Sequence, residues 1–193
     1  MANISVTVRG DGIQKLEDAI KALGEKKARK AYRMAVNDAG AKTKTATGRA
    51  LSKQTGLKIG VTRRALRPMR ASDGNLSYKL EGQGGDISLK FFGPKETDDG
   101  VSASPFGKRQ VFVGSFLSGG RWPGGRKGLI AGGHAFFRSG AARMPIANVQ
   151  SGVVIPAEMV KGATADTFSK IGLAELRTRV DHHVRRMTKG VVT

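Results

Sequence analysis

The spacing of apolar positions changes period several times along the chain, and each change predicts an element. Ile4, Val6 and Val8 alternate with Ser5, Thr7 and Arg9, the period of a half-buried strand over residues 3–9, and Gly10–Gly12 reads as the turn after it. From Ile13 the period lengthens. Ile13, Leu16, Ile20 and Leu23 make one stripe of a helix that Gly24 ends or bends. A second helix, or a continuation, runs from about Glu25 to Leu51. Its buried side reads as mostly small: Ala28, Tyr32, Ala35, Val36, Ala39, Ala46 and Ala50. Alanine has the best helix propensity and lets a neighbour come close. Residues 52–60 read as a loop, followed by a short helix near Thr62–Leu66 that Pro68 stops.

Period two returns at Leu76–Glu81 and Ile87–Phe91, with Gly82–Asp86 as a hairpin loop between them. Residues 93–107 read as loop, Gln110–Leu117 as a strand, and Ser118–Gly133 as a long glycine-rich loop. The stretch Ala135–Pro156 organises the rest. It reads as a strand (Ala135–Arg138), a small-residue turn (Ser139–Ala142), an Arg143–Ile146 corner, and a second strand (Gly152–Ile155) stopped by Pro156. This stretch is expected at the centre of a sheet against which the basic helices pack. Beyond it, Phe168, Ile171, Leu176, Val180, Val184 and Met187 share one face of a helix from roughly Thr164 to Met187, closed by Gly190. There is no internal repeat. The fold class expected is α+β, with a long N-terminal helix and a C-terminal helix packed on an antiparallel β-sheet and a Gly-rich extended loop. All of 1–193 reads as one domain: a helical arm at 13–51, a sheet core at 75–156 with the loop 118–133, and the C-terminal helix at 163–189.

Charge changes this picture. The chain carries 34 Lys+Arg against 15 Asp+Glu, a net charge of +19. Residues 1–70 hold 17 basic and 5 acidic side chains, so the excess lies toward the N-terminal end. Such a balance suggests a polyanionic partner, or acidic neighbours in an assembly. Lys26, Arg29, Lys30, Arg33 and Lys44 fall opposite the alanine face. They read either as a polyanion-facing ridge or as a solvated helix face. Arg63, Arg64, Arg67 and Arg70 cluster after them. In the glycine-rich loop, Arg121, Arg126 and Lys127 surround Trp122, the one tryptophan. That loop reads either as an assembly-ordered segment anchored by Trp122 or as a long hairpin connection. Arg138 and Arg143 flank the tight turn, where each could bind a partner's carboxylate or cap carbonyls of its own chain.

Catalytic chemistry finds no arrangement to stand on. There is no cysteine, so disulfides, thiolate metal sites and cysteine nucleophiles are excluded. Gly120–Lys127 imitates a phosphate loop, but its Lys-Ser/Thr ending is missing and Pro123 interrupts it. His182 and His183 are adjacent, about 100° apart on a helix, and read as a polar edge rather than a metal pair. His134 sits beside glycines with no companion acid, and Asp98-Asp99 reads as a solvated turn. The expectation is a non-enzyme without metal or cofactor. The N-terminus has no apolar run of signal-peptide length, and nothing approaches the roughly 20 apolar residues of a membrane span.

Several segments in order resemble one family. They are Ala35-Val36-Asn37 in an Ala-rich helix, Arg49–Leu57 ending in Gln54-Thr55-Gly56, the basic Arg63–Leu66 helix, Asp86–Lys90 and Val111–Val113. The most specific piece is Phe137–Gly140, then Arg143-Met144-Pro145-Ile146, then Val154-Ile155-Pro156. The chain resembles the minor tail protein Z family of lambda-type tailed bacteriophages and prophages over roughly residues 28–160. Met144 stands where that family has tyrosine. The resemblance implies a structural virion protein at the head-proximal end of the tail, completing it and helping to join tail to head. It implies an α+β subunit of a six-membered ring of copies of itself around the DNA path. The implied partners are neighbouring tail-terminator and head–tail connector proteins, with non-specific contact with DNA in the channel and no membrane. Assembly would take place in the host cytoplasm. The candidate partner-binding residues are Lys26, Lys30, Arg33, Arg63, Arg64, Arg121, Trp122, Arg126, Lys127, Arg138 and Arg143. The alternative reading is a basic nucleic-acid-binding module. Against it, two Tyr and one Trp make a poor stacking platform.

Overall fold

The computed structural model describes residues 3–6, 14, 17–18, 20–21, 24–121, 127–142 and 144–189, with the backbone alone at 3–6, 120–121 and 127. Two long helices dominate it. Helix α1 (Glu25–Thr55) is 31 residues long, and α4 (Gly162–Met187) is 26. The chain enters α1 through Gly24 at φ 76, and Gly56 at φ 77 ends it, its N–H donating to Ser52 O. Gly56 thus supplies the left-handed residue that closes many helices. The first helical stretch is described only at Gln14, Glu17, Asp18, Ile20 and Lys21, all helical. The Ile13, Leu16 and Leu23 part of its apolar stripe lies outside the described residues, as do Thr7–Arg9, the Gly10–Gly12 turn and Gly190.

α1 and α4 run antiparallel. Gln54 meets Thr164, Lys42 meets Glu175 and Asp38 meets His183, so one numbering falls as the other rises. The interface sets small residues of α1 against mostly larger ones of α4. Ala28, Ala31, Ala35 and Ala39 are buried on α1, and Phe168, Gly172, Leu176, Val180 and Val184 on α4. The buried stripe differs from the expected one beyond Ala39. It continues through Gly40, Thr43, Thr47, Gly48 and Leu51, while Ala46 and Ala50 are only partly covered. On α4, Gly172 is buried where Ile171 was expected, and Ile171 is 37% exposed. Gly40 and Thr43 face Phe168, Gly172 and Leu176 of α4, whereas Gly48 lies under the following segment, next to Leu66 and Arg63 and accepting from Thr62 Oγ1.

The strand half is a set of short antiparallel ladders rather than one sheet. β1 (Asn3–Val6), β3 (Tyr78–Gly82) and β2 (Leu66–Met69) lie in the order β1-β3-β2, joined to α1 by α2 (Ile59–Ala65). Pro68, expected to stop a helix, sits inside β2, an edge strand, where a missing N–H is tolerated. The expected hairpin over residues 76–91 does not form. β3 pairs with β1 and β2, while β4 (Asp86–Ser88) pairs with β13 (Gln150–Val154), and Leu89–Phe92 tighten into a 3-10 turn. Residues 93–107, expected as loop, contain the β5 (Lys95–Thr97) to β6 (Gly100–Ala103) hairpin, and Asp98-Asp99 form its tip. The single strand expected over Gln110–Leu117 breaks at Gly114 (φ 72) into β7 (Gln110–Val113) and β8 (Ser115–Phe116). The glycine-rich loop starts and ends as a ribbon, β9 (Ser118–Arg121) against β10 (Lys127–Leu129).

The Ala135–Pro156 stretch divides between two ladders instead of centring one. β11 (Phe136–Arg138) lies between β12 (Ile146–Asn148) and β8, but β13 belongs with β4. β13 carries a bulge at Gly152 (φ 77), where Asp86 Oδ1 accepts the Gly152 N–H at 3.0 Å. Pro156 does not merely stop this strand. It sits in the first turn of α3 (Ile155–Met159), the position a helix accepts proline. The apolar core has two parts. One joins the N-terminal half of α1 to the C-terminal half of α4 around Tyr32 and Tyr78. The other gathers Leu51, Leu66, Leu80, Leu89, Val101, Val153, Ile155 and Phe168, where the ladders meet the C-terminal end of α1.

Candidate functional site

The basic stripe of α1 is the most developed polar surface. Lys26, Arg29, Lys30 and Arg33 are spaced i, i+3, i+4 and i+7, so they share one side of the helix over about 10 Å of axis. They line an open groove of about 340 Å³ whose far wall is Asp73. Asn37 holds that wall. Its Nδ2 donates to Ala71 O (3.1 Å), and its Oδ1 accepts from Ala71 N (2.9 Å). Ser72 and Asn75 then close the turn through paired backbone bonds. Arg33 Nη1 donates to Asp73 Oδ2 at 2.8 Å, and Arg29 donates to Asp73 O at 3.1 Å and to Glu25 Oε1 at 3.0 Å. Lys26 and Lys30 make no ion pair or hydrogen bond among the described residues. Lys44 is half-buried and lies outside the groove.

The other expected residues do not join this group. Arg63 and Arg64 are exposed on α2, which is docked at Gly48 by the bond from Thr62 Oγ1 to Gly48 O. Gly48 is 15 residues, about 22 Å of helix, beyond Arg33. Arg121 and Lys127 face one another in register at the β9–β10 ribbon. Trp122, Arg126 and Arg143 lie outside the described residues, as does most of the imitation phosphate loop. Arg138 has a local partner: its guanidinium stands 5.1 Å over the Phe116 ring.

Two polar sites were not expected. Gln54 ties the end of α1 to both following helices. Its Nε2 donates to Glu158 O (3.0 Å) and Oε2 (2.9 Å), and its Oε1 accepts from Thr164 N (3.1 Å) and Oγ1 (2.8 Å). A polar side chain in the last turn before a closing glycine was the available signal. The second is His183, expected on a polar edge. It is 4% exposed, with Nε2 2.8 Å from Asp38 Oδ2 across the helix interface. Its neighbour His182 is exposed and meets it edge-on. His134 Nδ1 lies 2.9 Å from Ser88 Oγ.

Among the described residues, no group of three His, Asp or Glu stands close enough to hold a metal ion. No described helix is long and apolar enough to cross a membrane. The surface of the strand half has a different character. β7 is an edge strand, and along it Val111 is 45% and Val113 81% exposed, with Phe106 41% exposed just before it. Comparison with known protein families, curated proteins and solved structures finds no match for the chain.

Proposed function

We propose that this protein is a structural subunit of a tailed-phage virion, a tail-completion or minor tail protein at the head-proximal end of the tail. It works as a building block, without catalysis, and joins copies of itself into a ring that helps couple tail to head. The observation that carries the reading is the order and spacing of the motif segments from Ala35 to Pro156. Their placement supports it. Asn37 pins the 71–75 turn, Gln54-Thr55-Gly56 make the joint between α1 and the last two helices, and Val154-Ile155-Pro156 turn a strand into a helix. These segments thus sit at joints of the fold, where a scaffold motif is expected. The open apolar edge of β7 offers a neighbouring subunit a surface that a lone chain leaves wet. A head-to-tail contact of this kind closes into a ring when its rotation closes.

The test is the purified particle. The polypeptide should be found by mass spectrometry in isolated tails, and deleting its gene should leave heads and tails unjoined. Infectious particles that lack the chain, or that form normally after deletion, overturn the reading.

A further inference from the structure

We propose that the α1 groove bounded by Lys26, Arg29, Lys30, Arg33 and Asp73 binds the phosphate backbone of duplex DNA, and that Asp73 keeps this hold weak. The proposal deepens the tail reading by giving its non-specific DNA contact a place on the fold, and its test does not depend on that reading. Four cations share one face of α1, and among the described residues two carboxylates, Glu25 and Asp73, pair with them. The two arginines are pre-positioned by those carboxylates, and the two lysines point charge into the groove without a partner among the described residues. Lysine serves phosphate as a mobile point charge, and arginine serves it as a fixed fork.

The lining distinguishes among polyanions. Among the described residues no aromatic ring borders the groove, so unpaired bases find no stacking partner there. Among the described residues no apolar side chain borders it either, so an acidic protein segment finds no anchor there of the kind protein interfaces rely on. A duplex backbone needs neither, because phosphates are held by charge alone and sequence goes unread. Asp73 sets the strength. Its carboxylate occupies the Arg33 fork at 2.8 Å, so a phosphate must share or displace it. The groove then offers about two uncompensated charges, a contact that lets DNA slide past.

Binding of a labelled duplex of about 20 base pairs to the full chain, followed from about 50 to 200 mM salt, tests this. Lys26→Gln/Lys30→Gln should make the slope of log K against log salt shallower by about 1.8, since each lost phosphate contact removes about 0.9. Asp73→Asn should tighten binding several-fold. The control Lys170→Gln/Arg177→Gln removes the same charge from the exposed side of α4 and should leave the slope within about 0.3 of the original. Circular dichroism confirms that each variant is folded. An unchanged slope in the lysine pair overturns the proposal, and so does an equal loss in the control. Asp73→Asn binding no tighter overturns the role of Asp73. Displacement of the duplex by polyglutamate at matched charge assigns the groove to an acidic protein instead. Absence of the chain from virions would leave all these outcomes untouched.

Discussion

The helical and strand halves solve the burial problem in opposite ways. α1 and α4 reach an antiparallel contact through the small buried residues of α1, and their polar groups pair across it: Asp38 with His183, Lys42 with Glu175, Gln54 with Thr164. The strand half buries Leu80, Leu89, Val101 and Val153 completely, yet leaves Val113, Leu129 and Met144 63–81% exposed. Its ladders hold two or three strands each, with edges in every one. Short ladders bury one face and leave edges unpaired, whereas two long helices can cover each other along their length. The helical half should therefore be sensitive to volume, and the strand surface to association.

The largest effect expected is at Gly40. A Cβ there would run into Cδ2 and Cγ of Tyr78, a side chain 4% exposed between β3 and the helices. The ring cannot give way as a flexible chain end would. Gly40→Ala should lower stability by about 2–3 kcal/mol despite the better helix propensity of alanine, and lower Tm by about 5–10 °C. In a Tyr78→Ala background the same change should cost under about 1 kcal/mol, because the clash is gone. A neutral Gly40→Ala in urea titration would show that the helix–strand contact is looser than its geometry.

Alkaline titration gives a smaller effect and reads the core around Tyr32 and Tyr78. The chain has two tyrosines, Tyr32 and Tyr78, and both belong to the core between the N-terminal half of α1 and the C-terminal half of α4. Burial, reinforced by Asp181 and Asp18, pushes the Tyr32 hydroxyl from 10.0 up to about 12. Burial also raises Tyr78, with Arg70 opposing. Well below pH 10 both states keep the proton and stability is unaffected. Between about 10 and 12 the unfolded chain ionises first, so the folded state loses about 1–2 kcal/mol. Tyr32→Phe should flatten most of that loss in denaturation curves taken across this window. An unaltered slope would place the sensitivity elsewhere.

What was legible in the residues follows the same division. α1 ends within four residues of expectation and α4 starts within two, because helical periods and closing glycines are local signals. The face of α1 was read correctly to Ala39 and then wrongly, since Ala46 and Ala50 look as suitable as Thr43 and Thr47 until the packing of α4 and of the 62–66 segment is known. The ladders were legible as strands but not as partners. Nothing near Ile87 announces that β4 pairs with β13 some sixty residues on, or that Leu89–Phe92 leave the strand for a 3-10 turn. At the groove, Lys26, Lys30 and Arg33 were readable from charge and spacing. Asp73 was not, because its place opposite Arg33 depends on the long-range bond of Asn37 to Ala71.

The smallest effect on stability is expected at β7, where the comparison is sharpest. Val113 is 81% exposed on an unpaired edge, so removing it takes little apolar surface out of the folded core. Val113→Lys should change unfolding free energy by less than about 0.5 kcal/mol, in the range of ordinary surface substitutions. Association is another matter. A lysine on an edge strand blocks edge-to-edge pairing by demanding hydration where a neighbour would sit. The variant should therefore lose self-association at high protein concentration, read as a fall in weight-average mass by sedimentation, while its Tm stays within about 2 °C. If Tm falls and mass does not, Val113 supports the chain's own fold and the β7 edge is no docking surface. The two readouts separate because a side chain that touches little in its own subunit can act only through what it touches in the next.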